Sequence, residues 1–168
     1  MCDRISPDQR QTTGRKAETV VEERIIDREL VLVPYYPNEE VALAWYQDPD
    51  VCKQVDNIDH VYTPELLRRM YDFLSANGYC YYIKYKGVLV GDVTLRHNGE
   101  VCIVVSKAYQ NRHIGRRCVL DMLKLAKEQG MDAVKANIYS FNTQSQNMFL
   151  SVGFEKTAEE WYCCKLDQ

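Results

Sequence analysis

Apolar and polar positions alternate along the chain with two different periods, and those periods predict a mixed order of strands and helices. Residues 30–34 are an apolar run that Pro34 stops, since proline has no amide to give a ladder. Val41, Ala44 and Trp45, with Leu43 beside them, recur at helical spacing over residues 38–47, and Asp48-Pro49-Asp50 reads as a break. Residues 51–61 hold no clear period and read as a solvated loop. Thr63-Pro64-Glu65 opens a helix with a capping hydroxyl, a first-turn proline and an acid near the positive end. Leu66, Leu67, Met70, Phe73 and Leu74 give it a buried stripe, and Asn77-Gly78 ends it.

Two strand-like runs follow, residues 79–85 and 88–95, joined at Lys86-Gly87 as a hairpin. His97-Asn98-Gly99 is a second turn, leading to Glu100 and a strand over residues 101–105. Then the connection changes character. After residues 110–115, Val119, Met122, Leu123 and Ala126 recur at helical spacing up to Gly130. Residues 133–138 are strand-like, and a helix-linked crossover predicts parallel pairing with residues 101–105. Asn142 caps a short helix on which Asn142, Ser145 and Phe149 share a face, and residues 161–166 form a last strand. The predicted class is α+β: a mixed, mostly antiparallel central sheet with flanking helices.

Composition narrows the chemistry. A chain of 168 residues with 46% hydrophobic content fits one domain, expected over residues 24–168 behind a polar tail at 1–23. A net charge of −3 gives no global case for nucleic acid or an anionic membrane as partner. No apolar run approaches the ~20 residues needed to cross a bilayer, so the expected location is cytoplasmic. Seven cysteines without a Cys-x-x-Cys pair point to a reducing compartment rather than a disulfide framework. His60, His97 and His113 lie in separate loops, so no metal site is expected.

The basic residues that matter are local. An apolar strand, the turn Gln110-Asn111-Arg112-His113-Ile114-Gly115 and a helix start would leave several amides unpaired at the positive end of a dipole. A phosphate suits such a site, with Arg112, Arg116 and Arg117 as charged donors; an exposed basic turn is the plainer alternative. The turn is neither a P-loop nor a dinucleotide fingerprint, because Gly115 is its only glycine.

The segments 88–95, 100–105, 109–115 and 142–154, taken in this order and spacing, resemble the GNAT acetyltransferase superfamily, in particular its branch of ribosomal-protein N-terminal acetyltransferases. The resemblance covers the chain from about Arg28 onward. It implies acetyl-CoA as co-substrate, lying between splayed parallel strands. Ile103, Val104 and Val105 would pair with its pantetheine arm, and Gln110, Asn111, Arg112, His113, Ile114, Gly115 and Arg116 would hold its pyrophosphate. Asn142, Ser145 and Phe149 would face the arm. His113 stands where the family's first glycine is usual.

Transfer of an acetyl group to an amine needs a neutral amine, donors for the developing oxyanion and help for the departing thiolate. The resemblance implies Glu100 as general base, with Asp92 as a rival. The family's acidic tyrosine is replaced by Phe149, which leaves Ser145 as the candidate acid, or Tyr139 or Tyr162 in its place. The acceptor would be a small amine or a peptide N-terminus, received among Asp48, Asp50, Asp56, Asp59, Tyr46 and Tyr62. A monomer or a homodimer is expected. A non-catalytic acyl-CoA-binding or regulatory module on the same fold is the alternative.

Overall fold

The computed structural model describes residues 20–167. Its elements begin with β1 (Arg24–Ile25), β2 (Leu30–Pro34), α1 (Glu39–Trp45), α2 (Pro49–Asp56) and α3 (Pro64–Ala76). Then come β3 (Gly78–Tyr85), β4 (Val88–Arg96), β5 (Val101–Val105) and, after a short 3-10 turn, α4 (Ile114–Glu128). β6 (Ala133–Asn137), α5 (Thr143–Ser151), β7 (Glu155–Ala158) and β8 (Trp161–Lys165) complete it. β1 to β5 form one antiparallel sheet in chain order, and β6-β8-β7 form a second. This is the mixed, mostly antiparallel α+β architecture that the hydrophobic pattern predicts.

The first sheet is buried on both faces. Odd-numbered residues of β5, such as Val101 and Ile103, pack with Ile114, Val119 and Met122 of α4. Even-numbered ones, Cys102 and Val104, pack with Val51, Val55, Met70 and Tyr71 of α2 and α3. That alternation is the period-2 geometry of a strand, and it makes β5 the wall shared by both cores.

Four local expectations change. Residues 51–61 are not all loop: Pro49–Asp56 is α2, with Val51, Cys52 and Val55 buried. The Asp-Pro-Asp that reads as a break is a helix start, since Asp48 Oδ1 accepts from Asp50 N at 2.9 Å and proline sits in the first turn. The parallel pairing of β5 with residues 133–138 shrinks to one bridge, Glu100 with Lys135, where Lys135 N donates to Gly99 O at 3.0 Å. Past that bridge β6 makes its ladder with β8, and the edge of β5 is left open. β1 and β7 are two strands that the pattern does not announce; every residue of β7 is exposed.

The expected tail lies outside the described residues up to residue 19. Just after it, Arg24 ties β1 to α4: its Nε donates to Asp121 at 2.6 Å and its Nη1 to Glu128 at 2.9 Å. Arg117 Nη1 likewise donates to Asp27 at 2.8 Å. Cys52, Cys80, Cys118, Cys163 and Cys164 are free thiols. Among the described residues no helix is long and apolar enough to cross a membrane, and no group of three His, Cys, Asp or Glu side chains is arranged to hold a metal.

Candidate active site

A cleft of about 400 Å³ opens between the free edge of β5, the start of α4, α2 and α5. Two backbone bonds fix which groups reach it: Ser106 N donates to Val90 O, and Arg96 N to Glu100 O, both at 2.8 Å. In an antiparallel ladder the facing alternates, so even-numbered residues of β5 bond to β4. The amides and carbonyls of Ile103 and Val105 therefore point to the open edge. Val104 lines the cleft through its side chain instead.

At the end of β5 the chain turns through Gln110 to His113 into α4. Asn111 and His113 both lie in the left-handed region, at φ 62° and 59°. That conformation turns successive amides toward one concave side. Among the described residues, no carbonyl accepts from the amides of residues 111–113. The first amides of α4, on Ile114, Gly115 and Arg116, have no partner within the helix by construction. The result is a row of donors at the positive end of a 15-residue helix. The left-handed φ at 113 also accounts for the family's usual glycine there, since only glycine adopts it without strain. His113 holds it with its side chain exposed and capping nothing.

Most of the expected cofactor residues come together around this cleft: Ile103 to Val105, Gln110, Asn111, His113 to Arg116, Asn142 and Ser145. Arg112 does not line it; the guanidinium lies over the Tyr109 ring at 5.3 Å and Nη2 donates to Ala108 O at 3.4 Å. Phe149 is buried behind it, edge-on to Phe154 at 5.0 Å. Asn142 Oδ1 accepts from Ser145 N at 3.2 Å and caps α5. Val51, Gln54 and Val55 also line the cleft, together with Tyr109, Gln144 and Met148; none is among the expected cofactor residues. For the three on α2 the one sequence signal is the helical spacing of 51, 54 and 55. Polar side chains span the cleft: Gln110 Nε2 donates to Gln54 Oε1 at 3.2 Å, and Gln144 Nε2 to Asn111 Oδ1 at 2.8 Å.

Glu100 lies outside the cleft lining, at the point where β5 and β6 part. It is 5% exposed, its Oε2 accepts from Arg96 Nη1 at 2.9 Å, and its Oε1 has no partner. Asp92 is fully buried beside Val104 on β4 and accepts from the hydroxyls of Tyr46 and Tyr71. Burial pushes the Tyr71 hydroxyl well above its usual range, so it stays a donor. The acids expected to receive an amine have internal partners. Asp48 caps α2, Asp50 binds Lys107, Asp56 accepts from Tyr62, and Asp59 lies 3.9 Å from Lys53.

The model of the acetyltransferase (GNAT) family matches residues 40–154. Among solved structures, a GNAT-family acetyltransferase from Bacillus anthracis is 18% identical with a TM-score of 0.71, covering 84% of this chain and 97% of its own. A Salmonella typhimurium acetyltransferase that modifies the N-terminal serine of the 50S ribosomal protein L7/L12 is 12% identical, with a TM-score of 0.65 and coverages of 87% and 100%. A GNAT-family acetyltransferase from Elizabethkingia anophelis, solved with acetyl-CoA bound, is 16% identical, with a TM-score of 0.60 and coverages of 83% and 100%. These likenesses concern the fold. No curated protein matches the chain. The match of the family model across most of the sequence carries more than any single neighbour: the chain belongs to the acetyltransferase (GNAT) family.

Proposed function

We propose that this chain is an acetyl-CoA-dependent N-acetyltransferase, passing the acetyl group directly to a primary amine of a small molecule or a peptide N-terminus. The observation that carries the reading is the row of unpartnered amides at residues 111–116 next to the open edge of β5. A pyrophosphate suits the amides, with Arg116 at the cleft wall and Arg112 outside it. An extended arm with amide groups suits the open ladder positions of Ile103 and the amide of Val105, whose carbonyl accepts from Gln110 Nε2 at 3.0 Å. A cytoplasmic setting, as a monomer or homodimer, is part of the proposal.

In this reading a backbone amide on the open edge of β5 stabilises the developing oxyanion. Ser145 supplies the hydroxyl on the helix face that Asn142 and Phe149 share, and it hydrogen-bonds the departing thiolate. Glu100 lies outside the cleft lining, so as the base it draws off the amine proton through a water chain, with Arg96 holding Oε2. Direct transfer is supported by the cleft lining, which holds no cysteine among the described residues. Burial pushes the Cys52 thiol up to about 11, and Cys118 higher still, so neither supplies a thiolate to carry the acetyl group at neutral pH.

Phe149 favours a second reading, a non-catalytic acyl-CoA-binding module, because it has no proton to give where the family's acid would stand. Thiol release from acetyl-CoA across a panel of alkylamines, amino sugars and short peptides separates the two. The transferase releases thiol only with an accepted amine. Tight acetyl-CoA binding without release on any acceptor class overturns the catalytic reading.

A further inference from the structure

A second cavity, of about 120 Å³, lies between the β2–α1 connection and α3 and shares no lining residue with the cleft. Its floor is aromatic. The Tyr35, Tyr71 and Tyr82 rings lie mutually within 4.7 to 5.8 Å. Its rim is rich in acceptors. Asn38, at the start of α1, does not cap that helix; its Nδ2 donates to the Tyr36 hydroxyl at 3.4 Å, which leaves its carbonyl oxygen to the rim. Glu39 is neutralised by the Arg68 guanidinium, which binds both of its carboxylate oxygens. Asp72 makes no ion pair among the described residues. The lining thus keeps one net negative charge beside the half-buried Tyr35 ring, which stacks on the buried Tyr71.

We propose that this cavity binds the head of an organic ammonium ion. Ring quadrupoles attract a cation of low hydration, and one unpaired carboxylate at the rim matches one positive charge. The volume is below the usual range of drug-sized sites, so it takes a head group with any longer chain left outside. An anionic or neutral ligand gains nothing from Asp72. The site also reaches the strand that borders the cleft. Tyr71 forms its wall and donates to Asp92 at 2.9 Å, and Asp92 pairs with Val104.

The test uses tetramethylammonium, which has no N–H to acetylate and so cannot act as an acceptor. The full chain is titrated by calorimetry and by tyrosine ring NMR shifts at constant ionic strength, with sodium as the control. Saturable binding is expected, weakened roughly tenfold by Asp72→Asn and about threefold to thirtyfold by Tyr35→Leu. Asp72 is exposed, so its variant keeps the fold. Saturating acetyl-CoA should leave tetramethylammonium still bound. No saturation at roughly 50 mM, affinity unchanged in both variants, or displacement by acetyl-CoA would each overturn the site. Titration of acetyl-CoA alone measures the cleft separately, so failure of this site and failure of the cleft reading are distinguishable.

Discussion

Replacing His113 by glycine tests the physics of the turn at the position where this chain departs from its family. His113 sits at φ 59° and ψ 15°, in the left-handed region. An L-residue there costs about 1–2 kcal/mol relative to the right-handed form. The side chain is exposed and caps nothing, so its removal takes away no contact that stabilises the fold. Glycine widens the unfolded ensemble, which offsets about 0.4–1 kcal/mol of that relief. The balance is a gain of about 0.5–1 kcal/mol, or roughly 1–4 °C in Tm for a domain of this size. Differential scanning calorimetry of His113→Gly reads it. His113→Ala is the control, because alanine retains the strain and should not gain. A lower Tm for the glycine variant, or an equal gain for alanine, would refute the reasoning, since either would mean that backbone conformation is not what matters at this position.

Three further perturbations reach other parts of the account. Arg24→Ala leaves Asp121 nearly buried without its partner and should lower stability by about 2 kcal/mol in a urea titration. The Arg24 bond also holds the Glu128 carboxyl below its usual range, so its contribution is present above pH 4.5 and fades as pH falls below it; the stability gap between wild type and Arg24→Ala should narrow in acid, and a constant gap would remove that linkage. Gly91→Ala places a methyl against the Val104 carbonyl, so β5 must shift; a loss of about 3 kcal/mol is expected, with a fall in acetyl-CoA affinity, and a neutral effect on both would show that β5 is not held by that approach. Arg112→Glu should weaken CoA binding about tenfold or more, even though the guanidinium rests on Tyr109 in the unliganded chain; unchanged affinity would exclude Arg112 from the pyrophosphate site.

The parts of the fold legible in the sequence are those where local chemistry and burial agree. α3 is one: Thr63 Oγ1 accepts from Leu66 N at 3.2 Å, and Leu67, Met70 and Leu74 are buried as their spacing demands. The β3–β4 hairpin is another. α2 is missed because Asp-Pro is equally a stop and a start, and only the burial of Val51 and Val55 decides. β7 has no apolar face to announce it. In the site, the turn follows from residue order, whereas the open edge of β5 does not, because the crossover predicts parallel pairing and β6 makes its ladder with β8 instead. The partners of Glu100 and of the four aspartates do not, because Arg96 and Glu100 meet across a turn, and Asp50 and Lys107 are far apart in sequence. Those pairings decide how much acid remains for an acceptor, which is why the amine's identity is not written in composition.

The most direct test of the central claim is calorimetric titration of the full chain with acetyl-CoA, alongside NADH as a second pyrophosphate ligand. Saturable one-to-one binding of acetyl-CoA, absent for NADH, is expected if the amides of residues 111–116 and the open edge of β5 act together. No binding of acetyl-CoA would contradict the account, because the turn would then hold its donors without serving a pyrophosphate.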